Sequence, residues 1–166
     1  MKTRKIGRRS ARKRAFQCVF AMSFQSLADS QEVQRVFREM PEEQSGMASG
    51  EGESAELSRK NAEDREFALH LASGVHLWLE QIDMIIQKYS RHWRIDRIAK
   101  TELSILRLGV YEMLHEPDIP LKVSINEAVE LSKEFGDEQS FPFINGILDA
   151  VARAVEHGEF GIHKEF

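Results

Sequence analysis

The segment from Ile98 to Leu114 places apolar side chains on nearly every face of a helix. A helix that is apolar all round is buried by other elements, so this segment predicts a central helix surrounded by others. Arg107 and Glu112 lie inside it, and an unpartnered charge there would cost several kcal/mol. We therefore expect both residues to be paired in a buried ionic network. The apolar residues are Ile98, Ala99, Leu103, Ile105, Leu106, Leu108, Val110, Tyr111, Met113 and Leu114.

Helical spacing of apolar residues recurs along the chain, whereas no segment has the alternating period of a strand. Asp96 is the expected N-cap of the central helix, and Ser140 is the expected N-cap of the last one, with Pro142 in its first turn. Pro120 is expected to open the helix that ends at Gly136. The pattern predicts an all-α fold of about six to seven helices. The other sets expected to face inward are Phe16, Val19, Phe20, Phe24 and Leu27; Val33, Val36, Phe37 and Met40; residues in continuous helical phase from Phe67 to Tyr89; Ile125, Ala128, Val129, Ser132 and Phe135; and Phe143, Ile144, Ile147, Leu148, Val151 and Val155.

The first fourteen residues contain eight Lys or Arg and no acidic residue, although the whole chain has a formal net charge of −4. We predict that residues 1–14 form a flexible basic arm, which from Arg8 onward leads into the first amphipathic helix. Clustered cations favour a polyanionic partner, because neutralised phosphates release condensed counterions. A solubilising tail and a transit peptide are the alternative interpretations.

Residues 41–58 hold five glutamates, three glycines and no basic residue. This composition does not support a packed element, so we predict a flexible acidic linker at the surface. The chain length suits one compact domain or two closely packed subdomains. We expect a single domain over residues 1–166, with an N-terminal helical subdomain over 15–90 and a C-terminal helical subdomain over 95–157.

The sequence lacks familiar motifs of catalysis, metal binding and membrane insertion. The six histidines show no paired ligand spacing, and the single cysteine, Cys18, excludes an internal disulfide. There is no Walker A loop, no GxGxxG fingerprint after a strand and no GxSxG elbow. No apolar run approaches the roughly 20 residues of a membrane span. We therefore expect a cytoplasmic protein that is not an enzyme and that needs no cofactor.

Four stretches in order resemble the NusB family of bacterial transcription antitermination factors. They are RRSARKRAFQCVFAMSFQ (8–25), ILRLGVYEML (105–114), INEAVELSKEFG (125–136) and FINGILD (143–149). The resemblance implies two packed helical subdomains that bind the boxA element of nascent ribosomal RNA leaders. It also implies a complex with NusE, a ribosomal protein, that acts on RNA polymerase.

The resemblance also implies roles for individual residues. The cations of the arm would hold RNA phosphates, with Lys133 as a further contact, and a surface aromatic such as Phe143 would stack on an unpaired base. Core packing remains the alternative for Phe143 and is favoured for Phe20, which stands where the family often has Tyr. The residue before Phe143 is Pro142, where the family often has Lys, so one phosphate contact is missing. The implied RNA-binding residues are Lys5, Arg8, Arg9, Arg12, Lys13, Phe20, Lys133, Phe143 and Asn145, and the implied NusE-facing residues are Tyr89 and Glu102.

Asn145 and Gly146 have a second interpretation, as the start of a helix that another part of the chain approaches closely. Two other functions fit an all-helical chain with a basic arm. One is the RNA-binding module of a ribosomal RNA cytosine methyltransferase, and the other is a helical protein-interaction domain whose arm contacts an acidic protein. The sequence is compatible with a monomer and with a homodimer.

Overall fold

Seven α-helices and one short 3-10 helix form the described part of the protein. The structure is a computed structural model, and it describes residues 8–42 and 55–166. Neither range contains a strand, which confirms the all-α prediction. The helices are α1 (Arg9–Met22), α2 (Ser30–Glu39), α3 (Ala55–Leu77), α4 (Leu79–Tyr89), the 3-10 helix (Ile95–Arg97), α5 (Lys100–His115), α6 (Leu121–Phe135) and α7 (Ser140–Glu156).

Helix α5 lies at the centre of the fold, as its apolar pattern predicts. It contacts α1, α3, α4, α6 and α7, and its buried residues run almost without interruption from Leu103 to Leu114. Its packing against α3 depends on a glycine, because a Cβ atom on Gly74 would lie 2.1 Å from the Cζ atom of Tyr111. The ring of Tyr111 therefore occupies space that any larger residue at position 74 would need.

The two charges expected to be buried in α5 are both paired, although not with each other. The Arg107 guanidinium donates from Nε and Nη2 to the two carboxylate oxygens of Asp83 on α4, both at 2.8 Å. The Glu112 carboxylate accepts from Arg12 on α1 at 2.7 Å and from the hydroxyl of Ser124 on α6 at 3.0 Å. The predicted ionic network is thus two separate pairs that join α5 to three neighbouring helices.

Several helix ends differ from the sequence expectation. Helix α5 begins at Lys100 with Ala99 as its N-cap, so Asp96 is not the cap; it lies in the preceding 3-10 helix. Ser140 is the first residue of α7, and the carboxylate of Asp137 accepts from the Ser140 amide at 3.1 Å. Pro120 is the N-cap of α6 rather than its first residue.

Gly136 ends α6 as predicted, but its φ of −96° is not left-handed. A Cβ atom there would lie 2.6 Å from the Ser140 hydroxyl and 2.7 Å from the carbonyl oxygen of Ser132. The close approach of the α6–α7 turn to the end of α6 therefore requires glycine.

The continuous helix predicted from Phe67 to Tyr89 is wrong, because the chain breaks at Trp78 into α3 and α4. The Trp78 backbone leaves the helical region with φ −105° and ψ 18°, and its ring stacks on His115 of α5 at a centroid distance of 4.6 Å. The last part of the predicted linker is also helical, since α3 already begins at Ala55. Residues 43–54 of that linker and the arm before Arg8 lie outside the described residues.

Two predicted positions are corrected by the structure. Phe24 was expected on the buried face of the first helix, yet it follows the end of α1 and is 62% exposed. Asn145 and Gly146 lie within α7 rather than at its start, and a Cβ atom on Gly146 would meet nothing within 4 Å.

The division into two subdomains stays a prediction, and α1 packs on both sides of it, against α3 and against α5 and α6. No helix in the described ranges is long and apolar enough to cross a membrane.

Candidate nucleic-acid interface

The cations of α1 divide between two flanks of the helix. Towards α6, the Arg9 side chain is 62% exposed and donates to both carboxylate oxygens of Glu127 at 3.3 Å. On the same flank Lys13 lies 2.7 Å from the carboxylate of Glu134, and Glu130 lies 3.9 Å from Arg9. The contact with Glu127 is the main reason that the pKa of Arg9 is raised. This α6 flank therefore presents cations in contact with a line of carboxylates.

The other flank faces α3 and holds Arg8. Its guanidinium lies 3.5–3.6 Å from the carboxylates of Glu63 and Asp64 and 5.2 Å from the centre of the Phe67 ring. The Arg8 side chain is only 15% exposed, so it is less accessible to a polyanion than Arg9. Lys5, the remaining predicted cation of the arm, lies outside the described residues.

Arg12 does not lie on either exposed flank, which corrects its expected role as a phosphate contact. It is 1% exposed, and its guanidinium is enclosed between α1, α5 and the Phe67 ring of α3. Burial raises the pKa of Glu112, and the charge and hydrogen bond of Arg12 oppose that rise. Arg12 is therefore a core residue that compensates the buried charge of Glu112.

Lys133 lies at the end of α6, beside the same flank of α1. Its side chain is 57% exposed, with the ammonium 3.3 Å from a carboxylate oxygen of Glu130 and 5.9 Å from the centre of the Phe141 ring, itself 43% exposed. Exposed ion pairs of this kind contribute little to stability, because water and salt screen them. The pairing with α6 therefore leaves Arg9, Lys13 and Lys133 able to exchange carboxylates for phosphates.

The two aromatic residues implied by the resemblance lie in different surroundings. Phe20 is partly buried at the edge of the core, with its ring 6.2 Å from that of Phe16 and 5.1 Å from that of Phe24. Phe143 is also partly buried, but it lines a cavity. Asn145 is half-buried one residue beyond the core residue Ile144.

The cavity next to Phe143 has a volume of about 330 Å³ and lies between the α4–α5 loop, the start of α5 and the start of α7. Trp93, Arg97, Glu102 and Ser140 also line it. The Ser140 hydroxyl donates to Oε1 of Glu102, whereas the buried Oε2 has no hydrogen-bond partner in the described part of the chain. Glu102, expected to face NusE, therefore lies in the same cavity as Phe143, expected to face RNA.

Trp93 and Arg97 were not among the site residues predicted from the sequence. The signal was present, because RHWRIDR places an aromatic residue among three arginines. In the structure Trp93 is 57% exposed, and Arg91, Arg94 and Arg97 are all exposed. Basic residues around an accessible aromatic are typical of nucleic-acid-binding surfaces.

Tyr89 lies away from the cavity. Its hydroxyl donates to a carboxylate oxygen of Glu159 at 2.7 Å, and the same carboxylate contacts the ammonium of Lys88. Burial is the main reason that the pKa of Tyr89 is raised, and Glu159 adds to the effect. Since Glu159 follows the last residue of α7 and Ser140 is its first, the structure places Tyr89 and Glu102 near opposite ends of that helix.

The described residues offer little support for other chemistry. Residues 8–42 and 55–166 contain no group of three His, Cys, Asp or Glu side chains that could hold a metal ion. Cys18 is fully buried in α1, and burial raises the pKa of its thiol to about 12. A thiol with such a pKa is a poor nucleophile at neutral pH.

The fold and this surface define a class: a small all-helical protein with cations along one helix and a cavity lined by aromatic residues. Such an arrangement is typical of nucleic-acid-binding proteins. The NusB family profile matches residues 9–153, and the chain belongs to the NusB family. The transcription antitermination protein NusB of Oleidesulfovibrio alaskensis is 42% identical over 151 residues, which cover 91% of this chain and 90% of the relative.

Solved structures agree with the family assignment. The structure of T. maritima NusB matches with a TM-score of 0.71 and 30% identity, covering 88% of this chain and 90% of that one. A NusB in the crystal structure of the antitermination factors NusB and NusE in complex with dsRNA matches with a TM-score of 0.63 and 26% identity, covering 89% of this chain and 96% of that one. The all-helical NusB fold expected from the resemblance is thereby confirmed.

Proposed function

We propose that this protein is a non-catalytic transcription antitermination factor that binds boxA-like single-stranded leader RNA together with NusE. The observation that carries the proposal is the α6 flank of α1, where Arg9 and Lys13 lie beside Lys133. Two of the three carboxylates that hold these cations, Glu130 and Glu134, are 40% and 48% exposed, whereas Glu127 is 14% exposed. Phosphates can replace such exposed carboxylates at little cost. The relative crystallised with NusE and dsRNA supports both partners.

RNA binding would begin with the phosphates and be completed by the bases. The α6 flank would hold the backbone, since neutralised phosphates release counterions whatever the sequence. Phe143 would then stack on an unpaired base, which is how single-stranded RNA is commonly gripped. Residues before Arg8 would extend the cationic surface, because they include Lys2, Arg4 and Lys5.

The NusE-facing surface would be centred on Tyr89, with Lys88 and Glu159 beside it. These three side chains form a hydrogen-bonded group at the protein surface, and such a fixed polar group suits recognition of a protein partner. The resulting NusB–NusE–RNA complex would act on RNA polymerase. We expect the protein to work in the cytoplasm, where nascent leader RNA is made in bacteria.

The proposal is tested by RNA binding at several salt concentrations, with boxA-like RNA and a scrambled RNA of the same composition. The double variant R9Q/K13Q should weaken binding to both RNAs. It should also lower the magnitude of the slope of log affinity against log salt by about 1.4, since each phosphate contact on a single strand contributes about 0.7. Melting temperatures should stay close to that of the unaltered protein.

The matched control is R153Q, because Arg153 is 67% exposed and is paired with Asp149 on α7 rather than with a carboxylate of α6. This variant should keep the full salt slope. Equal slopes for R9Q/K13Q and the unaltered protein would remove the α6 flank from the mechanism. Binding to NusE without any preference for boxA-like RNA would instead identify a helical protein-interaction domain.

A further inference from the structure

The α4–α5 loop holds the backbone of Trp93 in a fixed position, while most of its side chain is exposed. The Trp93 carbonyl oxygen accepts from the Ser90 hydroxyl at 2.8 Å and from the Gln87 side-chain amide at 3.2 Å. The Trp93 amide donates to the Ser90 carbonyl at 2.9 Å, and the Gln87 side chain also accepts from the Ile95 amide at 2.9 Å. An exposed aromatic ring on so constrained a loop is preorganised for a ligand, which lowers the entropic cost of binding.

The cavity beside Trp93 combines stacking surfaces with an unused acceptor. Trp93 and Phe143 both line it, and its volume of about 330 Å³ suits a ligand the size of a single base. The Oε2 atom of Glu102 is buried without a donor, while its Oε1 accepts from Ser140. A buried acceptor without a donor is costly, so a ligand that donates a hydrogen bond to Oε2 would be favoured.

We propose that this cavity binds one unstacked RNA base that carries an exocyclic amino group, with the base on Trp93 and its amino group donating to Glu102. Carboxylates recognise the amino group of cytosine in this way, and adenine and guanine offer amino donors as well. Uracil has a carbonyl oxygen where cytosine carries its amino group, so it is disfavoured at that position, and its remaining donor is the N3–H between its two carbonyls. The proposal rests on the RNA binding proposed above: the base on Trp93 is the same base that stacks on Phe143, since both rings line one cavity.

The surroundings of the cavity suit the backbone on either side of such a base. Arg91, Arg94 and Arg97 are all exposed in the loop that holds Trp93. The nearby carboxylates are Asp96 within this loop and Asp137, which lines the cavity. Arg94 is held by Asp96 at 3.0 Å, whereas Arg97 lines the cavity itself. A base bound on Trp93 would therefore have cations within reach of its flanking phosphates, and this surface is separate from the α6 flank of α1.

The test pairs protein variants with a boxA-like RNA in which one nucleotide at a time is abasic. For the unaltered protein, one amino-bearing nucleotide should stand out, and its removal should weaken binding on the order of tenfold, the loss of one stacked base. W93A should show a similar loss with intact RNA and no further loss when that same nucleotide is abasic. W93F should retain most of the affinity. The matched control is W78A, since Trp78 lies against His115 at the opposite end of α5.

The second measurement changes the base at that nucleotide. The unaltered protein should bind the amino-bearing base more tightly than uracil. E102Q should lose or reverse this preference. Its amide oxygen can keep the contact with Ser140, and its NH2 group then faces the cavity, where it would donate to a carbonyl oxygen of the base. The variant should fold normally, which circular dichroism and the melting temperature would check.

The outcomes separate the two proposals. The base site would be overturned if W93A and each abasic nucleotide reduced RNA affinity additively, or if E102Q kept the base preference of the unaltered protein. The proposed function would survive that outcome as long as the unaltered protein still selects boxA-like RNA. Failure of the unaltered protein to bind boxA-like RNA at all would overturn both.

Discussion

Replacing Arg12 with methionine tests the division between the core and the RNA surface. Arg12 is 1% exposed and lies 2.7 Å from Glu112, which is 2% exposed. In R12M the Glu112 carboxylate would lose its guanidinium partner and keep the hydrogen bond from the hydroxyl of Ser124. Breaking a buried ion pair from one side costs about 3–5 kcal/mol, because the remaining charge is uncompensated.

This loss would be large but measurable. The total stability of a domain is about 5–15 kcal/mol, and each kcal/mol shifts the melting temperature by about 2–4 °C at this chain length. We therefore expect R12M to melt roughly 6–20 °C lower. Because burial already raises the pKa of Glu112, its folded-state pKa in R12M would lie further above the unfolded value. The deficit should then shrink as the pH falls and the folded state takes up that proton.

The double variant R12M/E112L should recover most of the lost stability, since an apolar pair of similar volume replaces both buried charges. RNA affinity, corrected for the folded fraction, should stay near that of the unaltered protein in R12M, whereas R9Q/K13Q should lose affinity without melting earlier. Urea unfolding and RNA titrations on the same samples measure both quantities. An R12M protein with an unchanged melting temperature and a reduced salt slope would refute the buried role of Arg12.

Three further predictions concern individual side chains. Phe143→Ala should mainly reduce RNA affinity, whereas Phe20→Ala should mainly lower stability; the reverse pattern in melting and binding curves would contradict the assignment. Gly74→Ala should destabilise the protein by about 1–3 kcal/mol through overpacking against Tyr111. In a Tyr111→Leu background, which lacks the clashing atoms, Gly74→Ala should become neutral or stabilising by up to about 1 kcal/mol. If the effects of the two substitutions on the free energy of urea unfolding were additive, the clash would be excluded. Burial lowers the pKa of Lys164 from 10.5 to about 8, so the unfolded chain keeps a proton that the folded protein has lost between those values. As the pH rises from about 8 to 10.5, the free energy of unfolding of the unaltered protein should therefore increase by up to about 3 kcal/mol relative to that of Lys164→Met. Curves of unfolding free energy against pH that run parallel for the two proteins would contradict this.

The helices were predictable because each buries an apolar stripe that sequence spacing reveals. Their ends were less so, because they depend on specific contacts. Asp137 and Ser140 cap each other across the α6–α7 turn, and either residue alone could be the cap. At Trp78 the apolar phase runs on through the break, so only the stack on His115 distinguishes two helices from one.

The site was predictable in composition but not in orientation. RRSARKR identifies a cationic helix, yet Arg12 and Arg9 are the same residue type in the same run. One sequence signal separates them, because Arg12 is four residues before Phe16 and seven before Val19 and so shares their buried stripe. Its partner Glu112 is one hundred residues away, and no local pattern could supply that pairing.

The buried stripe also determines which cations of α1 reach RNA. A helix turns about 100° per residue, so Arg9 and Lys13 lie roughly 60° and 100° to one side of Arg12, towards α6. Ala15, Phe16 and Val19 are buried on the same side as Arg12. These apolar residues would keep α1 in the same rotation after the loss of Arg12, since their burial does not depend on its charge. The RNA-facing direction of Arg9 is therefore set by core residues that never contact RNA, which is why R12M should lose stability and keep affinity.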